Sequence, residues 1–348
     1  MIINDSKSLT VIIISHNQRE LVRRCIESVL KQVTDFPVEI IVSDDRSSDG
    51  TKEMLLTEYG DKVKSSFFNS NNYITSFTLE RAALNRINGL KLATGKYLIH
   101  IDGDDFFTGT DLFQKMVETL EAHPECTMCC QNFKIVPYNH IDQIDKTVVS
   151  DKHFNDEAIL SATQFVEKFP YLHNSCFCMR RFNDMKIDDL TSTTYDDVDI
   201  TFRYLRTGSV ALLNRSDFVY VQYPNSTCAT MSDSDKRIIF NGGITAILLA
   251  PHLSGVLIRN NLIGLMIISK EIFIKNHFSD NLLRYCSQFE LFVFNGLSNN
   301  ISFRNKIRFV RIFILSKIMY SFRITPKFLL RKLYKLSVKP TINENVVI

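Results

Sequence analysis

The chain has 348 residues, 45% hydrophobic and 23% charged. That excludes a disordered polymer and leaves room for one catalytic domain of roughly 220 residues with an appendage. A net charge of +3 does not by itself call for nucleic acid, but its distribution is uneven. Between Leu291 and Asn343 there is no Asp or Glu, while eleven Lys or Arg run from Arg304 to Lys339, so the remainder carries −8 (+3 minus +11). Such asymmetry marks an anionic partner.

The eight cysteines show no paired zinc spacing and read as buried thiols in a reducing compartment. The first eight residues lack a basic n-region and cleavage site, so no secretory signal is expected. The most apolar stretch, Ile244 to Ile268, is broken by Pro251, His252, Arg259, Asn260 and Asn261, so no spanning helix is expected.

In chain order, Leu9 to Ile14 is a β-branched run ending in Ser15-His16-Asn17, followed by a helical pattern from Glu20 to Lys31. Val38 to Val42 is a second strand closed by Ser43-Asp44-Asp45, then Ser47-Ser48-Asp49-Gly50 and another helix. A helix from about Thr78 to Leu92 precedes Gly95, which suits a C-cap, and the strand Tyr97 to Ile101. That strand runs into Asp102-Gly103-Asp104-Asp105. A helix over Asp111 to Ala122, strands near 126–136, a polar loop over 137–158 and a strand from Tyr171 to Arg180 follow. Asp196-Asp197-Val198-Asp199 opens a helix reaching about Thr207-Gly208, and Val210 to Val221 reads as one or two strands. From about Ser232 the pattern is helical and turns basic. Strand–turn–helix alternation predicts parallel strands with crossover helices, and ligands bind beyond the carboxyl ends of such strands.

The strongest chemical signal is the group Asp102, Asp104 and Asp105 at a strand end. Three carboxylates in four residues repel one another and need a cation, and hard oxygen ligands select Mg²⁺ or Mn²⁺. An Asp-rich turn without ligand is the alternative, because Asp and Gly favour turns anyway. Asp44-Asp45 lies just past another strand, so a shared parallel sheet brings the two acidic ends together.

With these residues the chain resembles the family 2 glycosyltransferases of the GT-A fold. The resemblance rests on Val11-Ile-Ile-Ile-Ser15-His16-Asn17, Ile40-Ile-Val-Ser-Asp44-Asp45-Arg-Ser-Ser-Asp49-Gly50-Thr51, Asn88-Gly89-Leu-Lys-Leu-Ala93-Thr-Gly95-Lys-Tyr97 and Ile101-Asp102-Gly103-Asp104-Asp105. It is specific over roughly residues 8–125 and thins out by about 225. It implies an α/β fold, a Rossmann-like mixed sheet flanked by helices that binds a nucleotide-sugar, over 1–230, with a helical basic region over 231–348.

The resemblance also assigns roles. Ser15, His16 and Asn17 would receive the nucleotide base, with His16 where the family usually has an aromatic and Ile14 where it often has Pro. Asp45 would accept a hydrogen bond from a pyrimidine, which points to UDP. Arg81 and Arg86 lie on the helix whose arginine approaches the diphosphate in relatives. Asp104 would bind Mn²⁺ or Mg²⁺, with Asp102, and Gly103 between them, at the ribose or the metal. The general base is expected in an acidic pair about ninety residues on, where this chain has Asp196-Asp197 in place of Glu-Asp. Asp197 is read as the base and Asp196 as an acceptor-positioning group; N-terminal capping of a helix is the alternative.

Phe303, Ile307, Phe309, Ile312, Phe313, Ile318 and Phe322 interleave with the cations of the basic region. Either a solvated bundle or a surface lying on anionic lipid has this pattern, and the second is expected here. Nucleic acid is not expected, because no binding motif accompanies the aromatics. The expectation is therefore an inverting, metal-dependent hexosyl- or N-acetylhexosaminyltransferase in the cytoplasm, peripheral on the inner face of the membrane. It would glycosylate a glycan or polyprenyl-diphosphate-linked saccharide for O-antigen or capsule. A sugar nucleotidyltransferase and an inactive partner protein are the competing readings.

Overall fold

Leu9–Ser15 (β1) is buried at all seven positions. A strand covered on both faces needs no polar alternation, and branched side chains suit it. The helix Arg19–Leu30 (α1) turns Val22, Cys25, Ile26 and Val29 to the core at helical spacing. The computed structural model describes residues 7–73, 78–143, 146–149, 154–168, 172–182, 197–205 and 207–223. The expectations for 231–348 and for Asp196 lie outside these residues.

The remaining elements, in chain order, begin with Val38–Asp45 (β2), Thr51–Glu58 (α2), Lys64–Phe68 (β3), Thr78–Leu92 (α3) and Tyr97–Asp102 (β4). Phe106–Phe107 (β5), Leu112–Ala122 (α4), Cys126–Pro137 (β6), Val148–Val149 (β7), Ala158–Leu160 (β8) and Ala162–Lys168 (α5) come next. Phe177–Arg180 (β9), Asp197–Leu205 (α6) and Ser209–Gln222 (β10) complete the described chain. The strands form one mixed sheet in the order β3-β2-β1-β4-β9-β6-β10-β5, with β7 on β6 and β8 on β10.

Strands β3, β2, β1 and β4 are mutually parallel, and β9 runs antiparallel between β4 and β6. The parallel half with its crossover helices agrees with the α/β expectation. Within 171–180 the strand is shorter than expected: Asn174–Cys176 is a 3-10 turn, begun by the His173 side chain accepting from the Ser175 N–H. The loop over 137–158 is not wholly irregular, since it supplies β7.

Gly95 does not act through a left-handed cap. A Cβ there would lie 2.6 Å from the Thr10 backbone nitrogen, and its own N–H donates to Thr10 Oγ1 at 2.9 Å. The residue is small because the chain crosses β1 in contact with its backbone. The six described cysteines, Cys25, Cys126, Cys129, Cys130, Cys176 and Cys178, are free and buried. Burial pushes all six thiols up.

Candidate functional site

Parallel register lines up the candidate residues. Ser15 faces Asp44 across β1 and β2, and Ile14 faces Asp102 across β1 and β4. Three carboxyl ends therefore share one edge of the sheet, the side on which ligands of parallel sheets bind.

The loops after β1 and β2 are locked together. Asn17 and Arg46 hold left-handed backbone conformations with φ of 53° and 56°, an uncommon state for residues other than glycine. Asn17 N–H donates to Ser47 Oγ at 2.8 Å, and its Oδ1 accepts from the Ser48 N–H at 2.7 Å. Asp49 ties both helix starts, accepting from the Arg19 N–H and the Thr51 N–H. These N–H groups would otherwise be orphaned at the helix ends.

His16 Nδ1 donates to the Asp45 carbonyl at 2.6 Å, which leaves Nε2 to accept from Asn17 Nδ2 at 3.2 Å. Arg81 Nη2 lies 3.4 Å from the same Nε2. Asp45 is almost wholly buried and accepts from the Ser70 N–H at 3.0 Å, the Ser70 hydroxyl at 2.8 Å, Arg46 at 3.2 Å and Arg81 at 3.2 Å. Burial would raise its pKa; the Ser70 donors, Arg46 and Arg81 outweigh burial and hold it below the usual carboxylate range. Beneath this end, buried Ser43 and Asn85 and half-buried Asn88 form a polar network, in which Asn85 Nδ2 donates to the Ser15 carbonyl.

At the β4 end, Asp102 to Asp105 is a tight turn: the Asp105 N–H donates to the Asp102 carbonyl at 3.0 Å. The Gly103 N–H donates to the Ile14 carbonyl at 2.9 Å, pinning the turn to β1. Arg86 Nη2 donates to Asp102 at 2.9 Å, and this guanidinium holds Asp102 low against the opposing effect of burial. Asp104 differs. Burial and the neighbouring Asp102 push it up to about 6, and Gln18 Nε2 donates to it at 3.2 Å. Two adjacent carboxylates thus sit in unlike states, one compensated and one not. The fit to a hard divalent cation lies in that under-compensated oxygen donor.

Asp105 is anchored by another strand. It is buried and accepts from the Val221 N–H at 2.9 Å, tying the turn to β10. His173 Nε2 lies 3.8 Å from Asp105 Oδ2, and Asp102, Asp105 and His173 have candidate ligand atoms within 4.8 Å of one another.

This edge of the sheet thus gathers Ser15, His16, Asn17, Asp45 and Arg81 around the β1 and β2 ends and Arg86, Asp102, Gly103 and Asp104 around the β4 end. Arg81 and Arg86, five residues apart on α3, reach different carboxylates, Asp45 at the end of β2 and Asp102 at the end of β4. Asp197 is the first residue of α6; its side chain and all of Asp196 lie outside the described residues. Sequence reasoning did not find Ser70, Gln18 or His173, none of which carries a local signal.

Residues 10–188 match the family model described as glycosyl transferase family 2. The chain belongs to this family. The chain is 36% identical over 98 residues to a Campylobacter jejuni GalNAc(5)-diNAcBac-PP-undecaprenol beta-1,3-glucosyltransferase, covering 28% of this chain and 29% of that one. It is 32% identical over 106 residues to the Escherichia coli UDP-Glc:alpha-D-GlcNAc-diphosphoundecaprenol beta-1,3-glucosyltransferase WfaP, covering 30% of this chain and 38% of that one. The matches therefore span well under half the length of these curated relatives. Among solved structures, S. aureus TarS 1-349 in complex with UDP-GlcNAc superposes with a TM-score of 0.56 at 14% identity, covering 76% of this chain and 80% of that one. The likeness is one of fold, and the GT-A expectation holds. No helix among the described residues is long and apolar enough to cross a membrane.

Proposed function

We propose that this glycosyltransferase is metal-dependent and inverting, moving a sugar from a UDP-sugar to a hydroxyl of a polyprenyl-diphosphate-linked saccharide in cell-surface polysaccharide assembly. The observation that carries this is the division of charge along one edge of the sheet: Asp45 neutralised by Arg81 at the β2 end, and Asp104 under-compensated beside Asp102 at the β4 end. The Campylobacter jejuni and Escherichia coli relatives, glucosyltransferases of diphosphoundecaprenol-linked saccharides, support the acceptor class. The TarS complexes with UDP and UDP-GlcNAc support the donor class.

His16, Asn17 and Asp45 bind the base, and Arg81 and Arg86 border the diphosphate. Asp104 and Asp102 would hold Mn²⁺ or Mg²⁺, which when bound neutralises charge on a departing diphosphate. Asp197 takes the acceptor hydroxyl proton. The acceptor oxygen then bonds to the anomeric carbon as the bond to the diphosphate breaks, and the nucleoside diphosphate leaves with the electron pair. Attack opposite the leaving group inverts the configuration. Residues 1–230 form the catalytic domain. Residues 231–348 lie on the anionic inner face of the cell membrane, their cations at the headgroups.

The test is transfer from a panel of UDP-sugars to a GlcNAc-diphosphoundecaprenol analogue, with the linkage read by NMR. An α-linked donor should give a β-linked product, and an α-linked product would contradict the mechanism. Asp197→Asn should still bind UDP while turnover falls by roughly 10²- to 10⁴-fold.

A further inference from the structure

His173 precedes β9, whose antiparallel pairing with β4 sets Arg180 opposite Tyr97 and Cys178 opposite Ile99. Running back from Cys178, the chain moves toward the carboxyl end of β4, so His173 arrives beside the Asp102–Asp105 turn. Its ring is fixed there. It stacks on Phe218 with centroids 5.0 Å apart and an interplanar angle of 29°, and lies 5.2 Å from Tyr220. Nδ1 accepts from the Ser175 backbone N–H at 3.2 Å.

That last bond decides the chemistry of the other nitrogen. A backbone N–H can only donate, so Nδ1 presents its lone pair and the ring proton sits on Nε2. The nitrogen facing Asp105 at 3.8 Å is therefore a donor. A neutral imidazole protonated there has no second lone pair for a cation, although the cluster of Asp102, Asp105 and His173 has the spacing of a metal site. We propose that His173 is a positioning residue. Its Nε2–H faces Asp105, and with the Val221 N–H on the opposite carboxylate oxygen it fixes that side chain. Through the Asp105–Asp102 backbone bond it thereby sets the turn that presents Asp104. The inference rests on the reading of Asp104 as the cation's ligand. Its test is built so that the two can fail separately.

The test uses the full chain with His173→Gln and His173→Leu. It reads Mn²⁺ affinity from the free-ion EPR signal, kcat and KM for the donor, and the ring's long-range ¹H–¹⁵N spectrum without metal and with Mg²⁺ and UDP. Gln places an N–H donor near the position of the imidazole Nε2. It should keep Mn²⁺ affinity and kcat within about fivefold of wild type, whereas Leu should lose about 10- to 100-fold, the usual effect of removing an outer-shell partner. The spectrum should show Nε2 protonated and Nδ1 unprotonated both with and without Mg²⁺. Loss of the Nε2 proton on adding Mg²⁺, with Gln as damaging as Leu, would make His173 a ligand and overturn the proposal. Wild-type Mn²⁺ affinity and kcat in the Leu variant would overturn it too. Wild-type protein that binds no Mn²⁺ would sink the metal reading instead, while the Nε2–H tautomer would still be decided by the spectrum.

Discussion

Gly103→Ala tests how the Asp102–Asp105 turn is held. A Cβ at this position would sit 2.7 Å from the Ile14 carbonyl oxygen and 2.9 Å from Val22 Cγ2. The first is backbone of the fully buried β1 and cannot swing away. To reach ordinary contact at 3.4 Å the turn must lift by about 0.7 Å (3.4 minus 2.7), stretching the 2.9 Å bond from the Gly103 N–H to that carbonyl. Overpacking of this kind costs about 1–3 kcal/mol, which for a domain of this size lowers Tm by about 2–12 °C. The larger effect should be on turnover. A displacement of about 1 Å can cost on the order of 100-fold in rate, so kcat for UDP release should fall about 10- to 100-fold. Gly89→Ala is the control: its Cβ would meet the Ile12 Cγ2 at 2.5 Å, a side-chain atom away from the turn. It should lower Tm comparably and leave kcat nearly intact. A Gly103→Ala protein with wild-type Tm and kcat would refute the argument.

Three further outcomes can be measured, two from the site's geometry and one from the sequence of the basic region. Burial, aided by Arg86 and opposed by Asp102, pushes His100 down to about 3. The unfolded chain therefore takes a proton below about 6.5 that the folded one refuses, so stability should fall by up to about 1.4 kcal/mol per pH unit between 6.5 and 3; His100→Leu should flatten that slope in urea titrations. Arg86→Met leaves Asp102 without its guanidinium, which should cost about 1–3 kcal/mol by thermal unfolding, with Asp102→Asn restoring part of it; equal Tm values would contradict the pairing. The eleven cations of the basic region, each worth up to about 1 kcal/mol at an anionic surface, should carry the protein to anionic but not neutral liposomes. Salt should weaken this, and equal recovery of intact protein and a truncation after about Asn300 in the supernatant would remove the membrane assignment.

How much of this was readable beforehand differs by element. Strands β1, β2 and β4 announce themselves because they are covered on both faces and end in polar turns. β3, with the sequence Lys-Ser-Ser-Phe-Phe, shows no alternation because it is the partly exposed edge of the sheet. β5 has only two residues and exists because β10 pairs with it. The turn at 174–176 interrupts the expected strand at the polar residues His173-Asn174-Ser175, and its cause is a His173 side-chain bond that no periodicity encodes. In the site, the carboxylates were legible because acidic residues at strand ends are costly without a purpose. Their partners were not. Ser70 lies 25 residues from Asp45, Gln18 lies 86 from Asp104, and each reaches its carboxylate only through the crossover topology.

The central claim is that Asp104 holds a divalent cation needed for sugar transfer. The direct measurement is UDP release from a UDP-sugar by chelator-stripped protein titrated with Mn²⁺, for wild type and Asp104→Asn, between pH 5 and 8. Wild type should be silent without metal and active with it. Because Asp104 is pushed up to about 6, a proton competes for it, so the Mn²⁺ needed should rise about tenfold per pH unit below that value. Asp104→Asn should stay folded and inactive at every Mn²⁺ concentration. Full turnover by wild type in excess chelator, or by Asp104→Asn with Mn²⁺, would contradict the account.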